Sequence, residues 1–154
     1  MHAFLEGSDY VILRVANPFG PRQTFLKGHG LVPAIIDRWQ KGLSIKVSGD
    51  GTSRRDYIYI GDVIEAIDAA ICLEGEPRIV LNIGSGEARS VTGVIEAVEQ
   101  TAGQTFSNEY VASRSTDVDV ACPYISKAKS VLGWSPKTRF ESGIRETLAR
   151  HHFK

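Results

Sequence analysis

The chain has 154 residues, enough for one domain with a hydrophobic core and too few for two of ordinary size. Hydrophobic residues make up 42% and charged residues 23%, and 18 Lys and Arg residues balance 18 Asp and Glu residues. This balance gives no basic excess for nucleic-acid binding, and no apolar run approaches the ~20 residues of a membrane span. Because no leader pattern is found and Cys72 and Cys122 match no metal spacing, we expect a cytoplasmic protein with reduced, buried thiols.

Short β-rich runs alternate with helical patterns along the whole chain, which is typical of an α/β fold. The predicted strands are Tyr10 to Val15, Leu43 to Val47, Asp56 to Ile60 and Arg78 to Ile83. The first of these runs is almost wholly apolar, so we expect it to be buried on both faces of a parallel sheet.

Helical spacing of apolar residues predicts helices between and after these strands. The first helix covers Leu31 to Trp39, and the second has Asp62 as its N-cap. The third begins at Ser90 and stops at Gly103, and the fourth covers Ser126 to Leu132. The last is marked by Phe140, Ile144 and Leu148. In the second helix one apolar face is predicted to point into the core. Its members are Val63, Ile64, Ile67, Ala70 and Ile71.

One glycine-rich turn, Gly84-Ser85-Gly86, lies between a predicted strand and a predicted helix, where a dinucleotide phosphate loop would stand. Arg89 occupies the position of the third glycine, and no acidic residue follows a second strand at the spacing of a ribose ligand. We therefore interpret this segment as a tight turn.

The four histidines form no i,i+4 pair, so no metal site is predicted.

Four polar residues lie in turns or loops next to strands, where α/β proteins present ligand contacts. Asn17 follows the first strand, and Arg55 begins another. Arg114 and Asp117 lie together in one polar stretch. Two guanidinium groups offer planar forks of donors that suit a diphosphate. The alternative is that both arginines are solvated or paired with acids such as Asp56.

Five segments, taken in order, resemble the motifs of the extended short-chain dehydrogenases, the NAD-dependent epimerase/dehydratase family. They are Arg14 to Gln23 (RVANPFGPRQ); Gly49 to Gly51 with Arg54 to Ile60 and Asp62-Val63; Asn82 to Gly86; Arg114 to Asp117; and Ile125 to Ala128 with Leu132 to Pro136. The resemblance extends from about Glu6 to Leu148. Among family members, the pattern is most similar to UDP-glucose 4-epimerases.

The resemblance implies binding roles for residues of this chain. The positions that contact the substrate diphosphate are Asn17, Leu31, Arg55 and Arg114. The main chain at Lys46 and Ser48 approaches the uracil, and Asp117 is the acid that holds the ribose hydroxyls. Two further residues, Val15 and Pro18, lie at positions beside the nicotinamide. Gly30 replaces the asparagine usual before Leu31, and Thr116 replaces the glycine usual before Asp117.

The resemblance also implies that this chain corresponds to the carboxyl-terminal half of such an enzyme. No Tyr is followed four residues later by Lys, the pair that moves the proton in this family, so no catalytic residue is predicted. Residues 1–154 then form a single substrate-binding fragment, in which 10–17 and 78–84 belong to the nucleotide-binding sheet, and 18–61 and 85–150 to the substrate lobe. The NAD cofactor is expected to be bound mainly by the amino-terminal half.

The function implied by the resemblance is sugar-nucleotide binding in an NAD-dependent UDP-hexose 4-epimerase, which interconverts UDP-glucose and UDP-galactose through a 4-keto sugar. The isolated chain is expected to be inactive and, because two strands lack neighbours, to self-associate or form a homo-oligomer. The alternatives are a dehydratase or decarboxylase of the same family and a non-catalytic sugar-nucleotide-binding module. The expected partner is a UDP-sugar, with no nucleic acid and no membrane.

Overall fold

The computed structural model describes residues 9–24, 30–75, 78–113 and 118–150. The strands are β1 (Tyr10–Val15), β2 (Asn17–Phe19), β3 (Ile45–Ser48), β4 (Arg54–Tyr59), β5 (Arg78–Ile83), β6 (Ala88–Ser90), β7 (Asn108–Val111) and β8 (Val120–Ala121). The helices are α1 (Leu31–Gln40), α2 (Ile60–Ile71), α3 (Val91–Ala102), α4 (Ser126–Leu132) and α5 (Phe140–Arg150). The predicted α/β organisation is therefore confirmed.

Within these ranges no helix is long and apolar enough to cross a membrane, and no group of three His, Cys, Asp or Glu residues is arranged to hold a metal ion.

β1 and β5 form a parallel pair, with Tyr10 opposite Arg78 at one end and Val15 opposite Ile83 at the other. α2 packs against β1 and α4 packs against β5, so both helices cover the same face of the pair. The core between the helices and the strands contains Ile58, Val63, Ala66, Leu81, Ile83, Ala128 and Trp134. Because side chains alternate between the two faces of a strand, the opposite face carries the intervening residues.

A second sheet has the strand order β2–β4–β6, and β8 pairs with the first residues of β4. β2 runs parallel to β4, whereas β6 runs antiparallel to it. β3 and β7 form a separate parallel pair. The larger hydrophobic core lies among these strands and α1, α3 and α5, and its fully buried members include Ile35, Ile36, Val94, Val98 and Ile144.

The predicted ends of α3 and α4 are confirmed by their capping geometry. Ser90 is the N-cap of α3, and its Oγ accepts a hydrogen bond from Gly93 N at 3.0 Å. Gly103 ends α3 with a φ of 67°, and Gly133 ends α4 with a φ of 61°. Glycine adopts this left-handed conformation without the clash that a Cβ would cause, so it is favoured at both stops.

Asp62 is not the N-cap of α2, which begins two residues before it with Tyr59 as N-cap. Asp62 lies in the first turn, and only 2% of it is exposed. Its carboxylate accepts hydrogen bonds from Lys137 N and Thr138 N, both at 3.1 Å. Asp62 therefore fixes the loop between α4 and α5 against α2, across a sequence separation of 75 and 76 residues that local patterns do not reveal.

Two expectations about apolar burial are wrong. β1 is not buried on both faces, since Ile12 and Val15 are exposed. On α2 the core-facing residues are Val63 and Ala66. The large apolar residues of the same helix that are exposed are Ile64, Ile67 and Ile71. The apolar positions of α2 span more of the helix circumference than one packed face, and periodicity does not show which part is covered.

Both cysteines are exposed, which contradicts the prediction of buried thiols. Cys72 directly follows α2, and Cys122 Sγ lies 3.7 Å from Asp56 Oδ2. Neighbouring protein atoms desolvate the Cys122 thiol, and together with the Asp56 carboxylate they raise its pKa. A thiol with a raised pKa stays protonated at neutral pH and is a poor nucleophile.

Candidate functional site

The carboxyl ends of β1 and β5 lie side by side, because Val15 and Ile83 are paired in register. The chain leaves β1 towards Asn17 and Pro18 on β2, and it leaves β5 into the Gly84-Ser85-Gly86 turn. Ligands of proteins with parallel sheets bind beyond this end of the strands. The structure therefore brings three predicted residues, Val15, Asn17 and Pro18, to one edge, and all three are exposed there.

Asp56 on β4 lies beneath this edge with none of its surface exposed. Its Oδ1 accepts hydrogen bonds from Ser85 N at 2.8 Å and Ser85 Oγ at 2.7 Å, and its Oδ2 accepts one from Gly86 N at 3.0 Å. A Cβ on Gly84 would stand 2.5 Å from Asp56 Oδ2, so the turn fits closely around the carboxylate. The amides that would bind a phosphate are therefore occupied by an internal anion, and the interpretation as a tight turn is confirmed.

Asn17 is held in place by the same strand residue. Its Nδ2 donates a hydrogen bond to the Asp56 carbonyl oxygen at 2.7 Å. The second N–H and the side-chain oxygen of Asn17 make no hydrogen bond with the described residues, and the side chain is exposed. The amide is therefore oriented by β4 and keeps a donor for a ligand at the strand ends.

Arg55 is half-buried and forms no ion pair with the residues that the structure describes. Its Nη1 donates to the Arg54 carbonyl oxygen at 2.9 Å. The alternative pairing with Asp56 is not observed, because the turn amides bind that carboxylate. Burial raises the pKa of the Tyr57 hydroxyl to about 12, although the positive charge of Arg55 by itself lowers that pKa. The guanidinium charge of Arg55 is thus balanced by no described carboxylate.

Arg89 lies directly opposite Arg55 on the antiparallel pair of β4 and β6. Arg89 Nη1 lies 2.8 Å from Glu141 Oε1, and its Nη2 lies 3.6 Å from Glu87 Oε2. Its guanidinium also stacks over the Phe140 ring, 4.6 Å from the centroid. Among the residues that the structure describes, acids therefore neutralise Arg89 but not Arg55. The positive charge of Arg55 thus stays available to a bound anion.

Arg114 and Asp117 lie outside the described residues, and their predicted roles stay predictions. The residues on both sides of that segment are described. A Cβ on Gly49, directly after β3, would approach Ser113 Cβ to 3.3 Å. On the other side, the Asp119 carbonyl oxygen accepts a hydrogen bond from the first backbone N–H of β4 at 2.7 Å. The two flanks thus lie at the end of β3 and at the start of β4, the strand that carries Arg55.

The other predicted substrate positions lie on α1 and β3. Leu31 is the first residue of α1, and its half-buried side chain packs against the larger core. Its backbone N–H belongs to the first turn, where amides lack an acceptor within the helix. Lys46 is exposed opposite Glu109 on β7, and Ser48 is half-buried opposite Val111.

The roles of Asp56 and Arg89, the two residues that organise the site, were not predicted from the sequence. The contacts of Asp56 with the glycine turn span 29 and 30 residues, and Arg89 meets Arg55 only through strand register. In the sequence, Arg89 stands out solely as the residue that breaks a glycine pattern. A usable signal was an acid in a predicted strand together with a glycine turn whose backbone amides need an acceptor, since pairing them satisfies both groups.

Comparison with known proteins identifies the class to which this fold belongs. The chain aligns over 96% of its length with the crystal structure of UDP-glucose 4-epimerase from Thermotoga maritima with UDP-glucose, covering 47% of that chain at 32% identity with a TM-score of 0.87. The UDP-glucose 4-epimerase of Thermus thermophilus, crystallised with NAD, matches 97% of this chain and 48% of its own at 32% identity, with a TM-score of 0.86. UDP-glucuronate 4-epimerase from Thermodesulfobacterium geofontis is 32% identical over 149 residues, which are 94% of this chain and 43% of that protein.

The fold is therefore that of the α/β nucleotide-sugar enzymes, and the chain spans about half the length of the relatives it matches. The sequence pattern of the NAD-dependent epimerase/dehydratase family matches residues 2–84. The chain belongs to the NAD-dependent epimerase/dehydratase family. Its full-length relatives include epimerases, a dehydratase and decarboxylases, so the reaction has to be argued from the site.

Proposed function

We propose that this chain is the carboxyl-terminal, sugar-nucleotide-binding part of an NAD-dependent UDP-hexose 4-epimerase. The observation that carries the proposal is the half-buried guanidinium of Arg55, which no described acid neutralises and which faces a second arginine across the sheet. A bound diphosphate supplies the missing negative charge in bidentate form. The similarity to UDP-glucose 4-epimerases favours a UDP-sugar as the carrier of that diphosphate.

Each proposed residue binds a different part of the sugar nucleotide. Arg55 and Arg114 clamp the diphosphate from two sides, and Asn17 donates its remaining N–H to the same group. Each charge-assisted bond contributes on the order of 1.5–3 kcal/mol. Asp117 accepts the ribose hydroxyls. The positions that complete the site through their main chain are Leu31 at the diphosphate and Lys46 and Ser48 at the uracil.

When bound, NAD would supply the acceptor and then the donor of the hydride that leaves C4 of the sugar and returns to it. The described residues fit only one edge of such a cofactor: Val15 and Pro18 expose apolar surface beside the strand ends, where a nicotinamide ring would lie. Asp56 closes the glycine turn to the dinucleotide phosphates. In this proposal the chain orients the substrate. Binding energy from the unreactive UDP end keeps the substrate in the site while its sugar ring rotates during the reaction.

Isothermal titration of the 154-residue chain with UDP and with uridine tests the proposal. We expect UDP to bind at least 100-fold more tightly, since two charge-assisted contacts of ~1.5 kcal/mol or more are absent for uridine. With NAD and UDP-glucose, the same preparation is expected to form no UDP-galactose. Equal affinities for UDP and uridine, or the absence of UDP binding, would contradict a diphosphate site.

A further inference from the structure

We propose that Gln23 binds a hydroxyl group of the sugar in the sugar nucleotide, through its side-chain oxygen Oε1. The inference rests on the proposed function for the identity of the ligand. It adds a contact with the sugar to the proposed contacts with the diphosphate, the ribose and the uracil. Three observations carry it: a buried acceptor without a donor, a strained turn that presents it, and a position between two segments of the proposed site.

The side-chain oxygen of Gln23 is a buried acceptor that the described residues leave unpaired. Among residues 9–24, 30–75, 78–113 and 118–150, it is the only buried side-chain nitrogen or oxygen atom without a hydrogen bond. A carbonyl oxygen that leaves water and finds no donor lowers the stability of the folded chain. Because buried polar atoms are normally paired, an orphaned acceptor points to a donor that binds from outside.

The nitrogen of the same side-chain amide is held in place. Gln23 Nε2 donates a hydrogen bond to the Pro18 carbonyl oxygen at 3.3 Å. If the amide were turned over, two carbonyl oxygens would face each other, so this bond determines which atom of the amide is left unpaired. Nε2 also lies 3.5 Å from the position that a Cβ on Gly30 would occupy. The amide therefore connects β2 with the residue that precedes α1.

Gln23 ends a turn whose backbone is strained. Its N–H donates to the Gly20 carbonyl oxygen at 3.4 Å, which leaves Pro21 and Arg22 as the two central residues. Arg22 has a φ of 67°, and no other described residue except glycine has a positive φ. Proline followed by a positive φ is the signature of a type II turn, where the second central residue is normally glycine. Strain of this kind is retained at ligand sites, where the conformation of the backbone serves binding.

Gln23 lies between two segments of the proposed site. Pro18, which accepts its hydrogen bond, is the position proposed beside the nicotinamide. Gly30 directly precedes Leu31, a position proposed at the diphosphate. The sugar is joined to the diphosphate, and its C4 has to reach the nicotinamide for hydride transfer, so the sugar spans the space beside Gln23. A cavity of about 220 Å³, which Gln23 and Pro18 both line, gives a donor access to this amide.

The donor that suits this oxygen is a neutral O–H or N–H group, because a side-chain amide oxygen accepts hydrogen bonds and carries no charge. The hydroxyl groups of a hexose are such donors. The carboxamide of the nicotinamide is a second source of the same chemistry beside Pro18. The proposed substrate contacts belong to this chain, whereas Asp56 closes the glycine turn to dinucleotide phosphates, so the sugar is the source that fits here.

The test is isothermal titration of the 154-residue chain and its Gln23→Met variant with UDP, UDP-glucose and NAD. Methionine has a similar length and volume and lacks both polar atoms of the amide. We expect the variant to bind UDP-glucose at least about threefold more weakly and UDP within about twofold of the wild-type affinity, since UDP lacks the sugar. The matched control is Gln100→Met, which replaces an exposed glutamine on α3 and should change neither affinity.

The urea midpoint of the ligand-free Gln23→Met variant should be no lower than that of the wild-type chain. The substitution removes one hydrogen bond of 3.3 Å, but it also removes the unpaired buried acceptor. A lower midpoint, or equal weakening of UDP and UDP-glucose, would assign Gln23 to the fold and overturn the proposal.

Two other results would also overturn the sugar contact. One is an unchanged affinity for UDP-glucose, and the other is a loss of affinity for NAD alone, which would assign the oxygen to the cofactor. The proposed function fails in a different way, namely when the wild-type chain binds no UDP. Normal UDP binding together with a UDP-glucose affinity that does not depend on Gln23 would refute only this contact.

Discussion

Replacing Asp56 with alanine is expected to lower the free energy of unfolding of the 154-residue chain by roughly 3–5 kcal/mol. The carboxylate is fully buried and accepts hydrogen bonds from Ser85 N, Ser85 Oγ and Gly86 N. Alanine would leave the Ser85 and Gly86 amides without an acceptor and would open a space beneath the strand ends. Urea unfolding at neutral pH, followed by circular dichroism, measures the change.

Asp50 provides the matched control for Asp56. Its carboxylate also accepts hydrogen bonds from a nearby turn, from Thr52 N at 2.9 Å and Thr52 Oγ1 at 2.6 Å, but it is exposed. Asp50→Ala is therefore expected to leave the stability almost unchanged, because water replaces the hydrogen bonds of an exposed carboxylate. Asp56→Asn should be intermediate, because its NH₂ group would face the turn donors. A loss at Asp56 no larger than the loss at Asp50 would show that the buried carboxylate does not organise the turn.

The second large effect is expected in ligand binding, where Arg55→Ala should weaken the affinity for UDP by roughly 10-fold to 100-fold. Removal of a charge-assisted hydrogen bond to a phosphate costs about 1.5–3 kcal/mol, and Arg55 has no described acid that would already neutralise it. Isothermal titration with UDP measures the dissociation constant. Arg55→Lys should recover part of the affinity, since it keeps the charge and loses the planar fork.

Arg145 supplies the control for Arg55, because it is exposed on α5 and makes no ion pair with the described residues. Arg145→Ala removes the same net charge from the chain and should leave the UDP affinity unchanged. Uridine should bind the wild-type chain and the Arg55 variant equally, since it carries no phosphate. A UDP affinity that is the same in both arginine variants would remove Arg55 from the site.

Local patterns in the sequence predicted helices and strands well where the capping or stop residue lies within the element itself. The cap at Ser90 and the stop at Gly103 depend on backbone geometry within a few residues, and both are observed. The face of α2 was predicted wrongly because Val63 and Ile64 are adjacent aliphatic residues that point in different directions. Only tertiary packing decides that Val63 is covered and Ile64 is exposed.

The candidate site was predictable only in part, because its residues meet through contacts between distant segments. Asn17 could be placed at a strand end from the strand before it, and the structure confirms that position. The acid that orients Asn17 comes from a position 39 residues later, and nothing near Asn17 in the sequence indicates it. Likewise, Arg55 and Arg89 look like equivalent surface arginines until strand register shows which of them has acidic partners.

A crystal structure of the 154-residue chain with UDP tests the diphosphate site itself. We expect the guanidinium groups of Arg55 and Arg114 both to lie within about 2.7–3.2 Å of diphosphate oxygens, with the Asn17 amide beside them. UDP bound elsewhere, or the two guanidinium groups directed apart with no anion between them, would contradict the assignment of this chain as a sugar-nucleotide-binding part.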